Sequence, residues 1–363
     1  MKLQVTRENL NRALNSVARV ANTRGTLPIL ANILFKTKNN RLSLSATNLD
    51  IAITHYIGAK VGEEGSITVP ARLMQDFISS LPEGVINLDL EETKLHITTD
   101  KYNSTINGVV ADDFPVMPAI SGGKKWSVNA QEFKKALHQV VFAASNDETR
   151  PVLTGVLLHS IDGKLLMAAT DSYRLAEKSI DKLKEEVNLL IPATAMQDLL
   201  RVINDDDETI NVTQDEQQAL LQVGDIELVT RLVEGKYPDY RKLIPETFTT
   251  QATLKRADFI SVTKVSSLFA RENAGSVTIE VDEKSNQLSI KAIASQLGEN
   301  TASASAKAKG TDNITLNSRY LLDALNAFSG DEITFGFNGK LEPTILFDPT
   351  DDNHRHVVMP LKS

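Results

Sequence analysis

Any chemistry carried by this 363-residue chain has to come from a short list of side chains. There is no cysteine, which excludes thiol nucleophiles, disulfides, Cys-ligated zinc and iron–sulfur clusters. The histidines are His55, His96, His138, His159, His354 and His356, and only the last two are close in sequence. The HRH that they form ahead of a terminal strand reads as a surface feature rather than a metal site. Asp205, Asp206, Asp207 and Glu208 have the charge for a two-metal site, but the run lies between a helix and a strand and reads as a solvated turn. Asp112 and Asp113, just before Phe114 and Pro115, read the same way. No P-loop, GxGxxG, HExxH or GxSxG motif is present. The residues therefore imply no catalysis, metal or cofactor.

The pattern that does recur is structural. VPARLMQDFISSL, from Val69, is echoed by IPATAMQDLLRVI, from Ile191. Asp76, Asp198 and Asp323 sit in matching apolar patterns: Met74, Phe77, Ile78, Leu81; Met196, Leu199, Leu200, Ile203; and Leu321, Ala324, Leu325, Phe328. Each follows i, i+3, i+4, i+7, the signature of a helix with one buried face. The aspartates lie 122 and 125 residues apart. An earlier helix opens at Leu10, Phe133 and Phe259, with Leu10, Ala13, Leu14, Val17 matched by Phe133, Ala136, Leu137, Val140 and a blurred third copy in Phe259, Val262, Thr263, Ser266. Pro28 and Pro151, and Thr47 and Thr170, each keep a step of 123. Three units of about 124 residues thus fill the chain.

Within a unit the pattern predicts strand, helix, three strands, then a short strand, helix and three more strands. RLSLSAT, KLHITTD, KLLMAAT, QLSIKAI and ALLQVGD have strand lengths, and KNN, IDGK and DEKSN supply turns. Helices on one face of antiparallel sheets make an α+β fold. Linkers at 118–125 and 245–250 divide it into domains spanning 1–120, 126–245 and 246–363.

A composition of 41% hydrophobic and 24% charged residues is that of a soluble globular protein. The opening MKLQVTRENLNRAL carries charges where a signal peptide needs an apolar core, and no apolar run approaches the roughly 20 residues of a membrane span, so a cytoplasmic protein without membrane partners is expected. The net charge of −8 argues, taken alone, against binding nucleic acid. Its distribution argues otherwise. The first helices with their flanks carry +3, +1 and +2, while the second helices balance Arg72 against Asp76, Arg201 against Asp198 and Arg319 against Asp323. The helices thus hold +6 and the remainder −14, a basic lining on an acidic body if the helices share one side.

Three segments carry a resemblance: RPVLTGVLL with ATDSYRLA (150–158, 169–176), RLVEGKYPDYRKLIP (231–245) and HVVMPLKS (356–363). Together with VPARLMQDF and TLPILANILF, these resemble the bacterial DNA sliding clamps, the beta subunits of replicative DNA polymerase III, in order along the whole chain. The resemblance implies a clamp fold of three tandem similar domains, with helices lining a ring and antiparallel sheets outside. It implies a head-to-tail homodimer, in which an edge strand at Asn103 to Ile106 meets the region of Val265 to Phe269; the repeat alone would suit a ring of two or of three chains. The function implied is processivity: a ring around double-stranded DNA, without sequence preference, that tethers the polymerase catalytic subunit and serves the clamp loader and other clamp-motif proteins. No cofactor is implied.

The same resemblance implies a peptide pocket formed by Leu153, Thr170, Ser172, Tyr173, Arg174, Leu175, Pro238, Lys242, Leu243, Val357, Met359, Pro360 and Leu361. Partners would insert a motif that begins with glutamine and ends in leucine or an aromatic residue. Leu, Val, Met and Pro make an apolar cleft, with Arg174 for polar peptide atoms. Tyr173 departs from the histidine often found there, and Ser363 from a terminal leucine, which leaves the pocket in place and its partner preference open. For DNA, Arg24 matches a family contact; Arg72, Lys134, Arg150 and Arg319 join it on charge and helix placement, while Asp147 stands where the family has a contacting glutamine. Two other readings stay open: a scaffold that gathers proteins without DNA, and a hydrolase with an unrecognised site.

Overall fold

The computed structural model describes residues 1–21, 27–120, 122–294 and 298–361, with Asp181 described by its backbone alone. The first repeat folds as β1 (Lys2–Thr6), α1 (Arg7–Val17), β2 (Asn32–Lys38), β3 (Arg41–Thr47), β4 (Ile51–Gly58), β5 (Lys60–Glu63), β6 (Ser66–Pro70), α2 (Ala71–Ser80), β7 (Val85–Glu91), β8 (Lys94–Thr98) and β9 (Asn103–Asn107). The second contributes β10 (Lys124–Asn129), α3 (Ala130–Val140), β11 (Gly155–Ile161), β12 (Lys164–Thr170), β13 (Arg174–Lys182), β14 (Asn188–Pro192), α4 (Ala193–Val202), β15 (Thr209–Gln214), β16 (Gln218–Val223) and β17 (Ile226–Arg231). The third comprises β18 (Thr250–Lys255), α5 (Arg256–Ser267), β19 (Ser276–Asp282), β20 (Gln287–Ala294), β21 (Gly298–Ser305), β22 (Lys307–Lys309), β23 (Asp312–Asn317), α6 (Ser318–Ala327), β24 (Glu332–Phe337), β25 (Thr344–Asp348) and β26 (Asp351–Val358). The element order expected of each repeat is present, with β5 and β22 as short additions.

The turns follow from their residues. Asn39 and Asn40, at φ 51 and 56, join β2 to β3, and Asp162 and Gly163, at φ 52 and 72, join β11 to β12. Two consecutive left-handed residues make the hairpin turn whose twist matches that of the strands, and Asn, Asp and Gly adopt it most readily. The helices follow from their apolar faces. Leu10, Ala13, Leu14 and Val17 of α1, and Phe133, Ala136, Leu137 and Val140 of α3, are all fully buried. In α5 the pattern blurs because hydroxyl residues occupy core positions. Thr263 and Ser266 are nonetheless fully buried, Thr263 donating to the Phe259 carbonyl at 2.7 Å and Ser266 to Asn300 Oδ1 at 2.9 Å. Satisfied hydroxyls cost little in a core, so the face is kept without the apolar signature.

Every pairing between named strands is antiparallel, yet the compact units are not the sequence repeats. One unit comprises Met1–Gln131 with Thr194–Leu232, the other Glu132–Ala193 with Val233–Ser363. The first holds a five-stranded sheet, ordered β5-β1-β7-β8-β9, and an eight-stranded sheet, ordered β10-β15-β16-β17-β4-β3-β2-β6. The second holds a nine-stranded sheet, ordered β14-β11-β12-β13-β26-β25-β24-β18-β22, and a four-stranded sheet, ordered β21-β20-β19-β23. The pairs β4–β17 and β13–β26 carry sheet hydrogen bonding from one repeat into the next, so the middle repeat is shared between the units.

His354 and His356 correct the surface reading of HRH: both lie inside β26, 1% and 2% exposed. Their Nε2 atoms are 2.8 Å apart, with Phe328 against both rings and Phe142 stacked on His356. Sequence position hid this, because alternate residues of a strand share a face and this face meets the core. Two nitrogens that close share one proton, so the Nε2–H of one ring donates to the bare Nε2 of the other, which requires at least one of the pair to be neutral. Burial is the main cause that keeps both rings neutral, lowering His356 to about 3 and His354 well below its ordinary value. The unfolded chain therefore takes up these protons more readily, and the stability present above about pH 6.5 is lost as the pH falls towards the folded values. The unfolding midpoint in scanning calorimetry is expected to drop steadily between about pH 6.5 and 4, and a flat profile over that window would contradict the buried neutral pair.

Candidate peptide-binding cleft

The second unit contains a small apolar cluster separate from its main core: Leu157, Ala168, Leu175, Leu190, Tyr240 and Val357, with Val152, Tyr237 and Met359 packed partly buried against it. Its floor is a strand pair. Leu175 of β13 faces Val357 of β26, and beyond the ladder Met359 N donates to the Tyr173 carbonyl at 2.8 Å. The loop into β13 is built by its own side chains. Thr170 Oγ1 donates to the Arg174 carbonyl at 2.6 Å and accepts from Ser172 N, while Asp171 Oδ1 accepts from the N–H groups of Tyr173 and Arg174. This turn forces Ser172 to φ 78, a conformation that L residues seldom adopt.

A second wall comes from the segment 233–244. Gly235, at φ 123, passes so close to the turn before β11 that a Cβ would lie 2.6 Å from Val152 Cγ1. Beyond it Tyr240 is 3% exposed and donates to Glu177 Oε2 at 2.6 Å. A hydroxyl has one proton, so the 2.8 Å contact to His159 must be donated by His159 Nε2–H. Burial, the main cause, lowers His159, which suits this neutral donor, and raises the Tyr240 hydroxyl, which the Glu177 charge raises further. The Tyr237 hydroxyl is also raised by burial; it lies near the Thr170 N–H but outside hydrogen-bonding geometry, and has no hydrogen-bond partner among the described residues.

Arg174 makes contacts inside the protein that the sequence did not indicate. Its side chain is 14% exposed, with Nε on Asp171 at 3.1 Å, Nη1 on Asp323 at 2.5 Å and Nη2 on the Phe142 carbonyl at 2.9 Å. The guanidinium lies over the rings of Phe142 and Tyr320, 5.3 Å and 4.6 Å from their centroids. Three of its five N–H donors are thus committed inside the protein, and its first task is to tie β13 to α6. Asp323 pairs with Arg174 and not with Arg319, as the charge balance along α6 would suggest; of the three pairs read from sequence, Arg201–Asp198 forms, at 2.6 Å.

The other expected residues divide by exposure. Leu153, Thr170, Leu175 and Val357 are buried, and Met359, Pro360 and Leu361 half-buried. Tyr173 and Leu243 are exposed large side chains at the same loops, and Ser172 and Pro238 are exposed as well. Lys242 is exposed and pairs with Asp239 at 2.7 Å. Tyr240, Tyr237, Val152 and Tyr320 were not anticipated, although YPDY supplied a signal in two aromatics three residues apart. Tyr320 carried none, since only folding brings it over Arg174. Of the expected DNA contacts, Arg24 lies outside the described residues. Arg72 and Arg319 are exposed on α2 and α6, and Lys134 is half-buried on α3. Arg150 is on no helix: it pairs with Asp147 at 3.3 Å and donates to Ser172 Oγ at 3.0 Å, at the cleft's edge.

Comparison with known proteins covers the whole chain. Models of the N-terminal, central and C-terminal domains of the DNA polymerase III beta subunit match residues 1–118, 127–239 and 241–362. Beta sliding clamps of Staphylococcus epidermidis and Staphylococcus aureus are 31% and 29% identical, with 100% of each chain covered. Among solved structures, the DNA polymerase III beta subunit of Thermotoga maritima is 26% identical with a TM-score of 0.93, covering 100% of this chain and 99% of that one. A sliding clamp of Bartonella birtlesii bound to griselimycin is 27% identical, with a TM-score of 0.95 and both chains fully covered.

Removing the guanidinium in Arg174→Met leaves Asp171 and the Phe142 carbonyl without their partner. We expect a loss of about 3 kcal/mol, reduced to the extent that Asp323 is hydrated. Tyr240→Phe removes the partner of His159 and one of the partners of Glu177, which keeps Arg241 at 3.5 Å, and should cost about 1 kcal/mol. Urea unfolding measures both, and a change below about 0.5 kcal/mol in Arg174→Met would show the hub to be incidental.

Proposed function

The chain belongs to the DNA polymerase III beta-subunit family, the sliding clamps, and on that premise we propose that two copies close head to tail into a ring that encircles duplex DNA and tethers the replicative polymerase. The observation that carries this reading is the ordered match of all three family domains along one chain, residues 1–118, 127–239 and 241–362. Each sequence repeat, 1–120, 126–245 and 246–363, serves as one clamp domain. No active site is assigned, since a topological tether needs none. The ring works in the cytoplasm.

Two open sheet edges support the closure. β9 is an end strand of the five-stranded sheet and β21 an end strand of the four-stranded one. Near β21, Val265 and Leu268 at the end of α5 are 44% and 49% exposed, as an apolar contact awaiting a partner would be. Pairing β9 of one protomer with β21 of the other, with Ile106 and Leu268 alongside, covers both edges and continues the sheet across the interface. DNA is then held by weak phosphate contacts from exposed Arg72 and Arg319, with Lys134 and Arg24 in the same role. Weakness is useful here, because strong phosphate contacts would stall a ring that has to slide. Arg150 sits beside Ser172 and is better placed to border the peptide cleft than to touch the duplex.

The cleft around Leu175, Val357 and Met359 takes the clamp motif of the polymerase subunit, the clamp loader and other partners. Tyr173 and Leu243 flank the bound segment, while Arg174 holds the Thr170–Leu175 loop in shape. One or two apolar anchors at about 1.5–3 kcal/mol each give modest affinity after ordering costs, which permits partners to exchange.

Retention on DNA tests the reading. The protein loaded on a nicked circle should stay bound through a high-salt gel-filtration column and be lost once the circle is linearised; equal loss from both would sink the ring. Met359→Ala should weaken a fluorescent glutamine-led peptide by roughly tenfold or more without changing the dimer seen by ultracentrifugation. Unchanged peptide affinity would remove the cleft from the proposal and leave the ring.

A further inference from the structure

The loop that shapes this cleft has a twin in the other compact unit. Thr47 Oγ1 donates to the Ile51 carbonyl at 2.9 Å and accepts from Leu49 N at 3.0 Å, and Asn48 Oδ1 accepts from both Asp50 N and Ile51 N. The same bonds recur 123 residues later at Thr170, Asp171, Ser172, Tyr173 and Arg174. Leu49 and Ser172 even share their unusual backbone, φ 80 and 78. Where Met359 N meets the Tyr173 carbonyl at 2.8 Å, Arg231 N meets the Asp50 carbonyl at 3.0 Å. Pro115 follows Phe114 as Pro238 follows Tyr237.

The twin loop also borders a cleft, of about 260 Å³, lined by Leu49, Pro115, Val116, Val229, Asp50 and Arg231 among others. Leu49 is 48% exposed and Val116 95% exposed. A leucine held exposed in a left-handed conformation has no local reason to be there, since glycine or asparagine would cost less. The carboxylate of Asp50 and the guanidinium of Arg231 stand on paired backbone, yet neither has an ion-pair or hydrogen-bond partner among the described residues. The volume lies below the roughly 300–1,000 Å³ of small-molecule sites but accommodates one large side chain. The chemistry differs from that of the first cleft at the matched positions: Leu49 for Ser172, Asp50 for Tyr173 and Arg231 for Met359.

We propose that this cleft is a second peptide-docking site, for an extended segment of a partner protein that carries one apolar anchor between a basic and an acidic side chain. The anchor packs on Leu49, Val116 and Val229, the basic group meets Asp50, and the acidic group meets Arg231. The assignment rests on reading the Met359 cleft as a peptide site, because the shared loop links the two. Opposite charges in place of Tyr173 and Met359 give the two clefts different motifs, so one clamp can hold two kinds of partner at once.

The probe is a fluorescein-labelled heptapeptide, GKSFSEG, titrated by anisotropy against the intact protein, beside a glutamine-led peptide for the first cleft. Leu49→Gly removes the apolar wall while relieving the backbone, so the fold is kept; it and Arg231→Glu should each weaken the GKSFSEG probe by about fivefold or more. Met359→Ala should leave that probe unaffected, and a GKSFSKG probe should regain affinity for Arg231→Glu. The proposal is overturned if GKSFSEG does not bind at millimolar protein, if Leu49→Gly and Arg231→Glu leave it unchanged, or if Met359→Ala abolishes it. The glutamine-led peptide reports only on the Met359 cleft, so failure there is distinguishable from failure here.

Discussion

Two backbone ladders hold successive repeats together, β4 on β17 and β13 on β26, and much else in the molecule depends on them. A strand that ended at its repeat boundary would leave its N–H and C=O groups unpaired, and joining the next repeat's strand satisfies them. The consequence is that cooperativity belongs to the shared sheets and not to the sequence repeats, which is why the compact units cut the middle repeat in two. Each ladder also ends at the same kind of loop, with a Thr hydroxyl and an Asx carboxyl or amide closing the turn, so any cleft at one ladder's end is prefigured at the other.

At the end of the β13–β26 ladder, polar side chains stiffen an apolar cleft. Arg174 reaches Asp171, Asp323 and Phe142 together, and Tyr240 joins Glu177 to His159. These groups are expensive to bury singly and stable when satisfied together, so they set the shape of the surface around the apolar cluster of Leu175, Val357 and Met359. A preorganised cleft binds short segments with less ordering cost, and its few anchors keep that binding reversible. The same logic places the neutral His354–His356 pair inside β26, where protonation would bury an unsolvated charge.

Much of the fold was legible in the sequence. The helices of α1 and α3 follow from fully apolar faces, the hairpins from Asn39–Asn40 and Asp162–Gly163, and the repeat from its step of 123. α5 was legible only in outline, because a periodicity count cannot tell a satisfied Thr263 or Ser266 from an exposed one. HRH was misread for a similar reason: charge-capable residues look exposed in sequence, and whether a strand face is covered depends on residues far away. Around the cleft, the sequence offered no signal for the contacts of Tyr320 and Asp323 with Arg174, since nothing along the chain links them.

Local spacing and residues that recur at fixed steps were enough to establish the α+β class, the threefold repeat, the family and the amphipathic helices other than α5. Only three-dimensional packing settles which strands join neighbouring repeats, which carboxylates Arg174 meets, and that an exposed, strained Leu49 borders one cleft with Asp50 and Arg231, side chains unpaired among the described residues. Those outcomes depend on contacts between residues tens to hundreds of positions apart, and in such contacts burial and pairing are set by three-dimensional packing that no window of sequence contains.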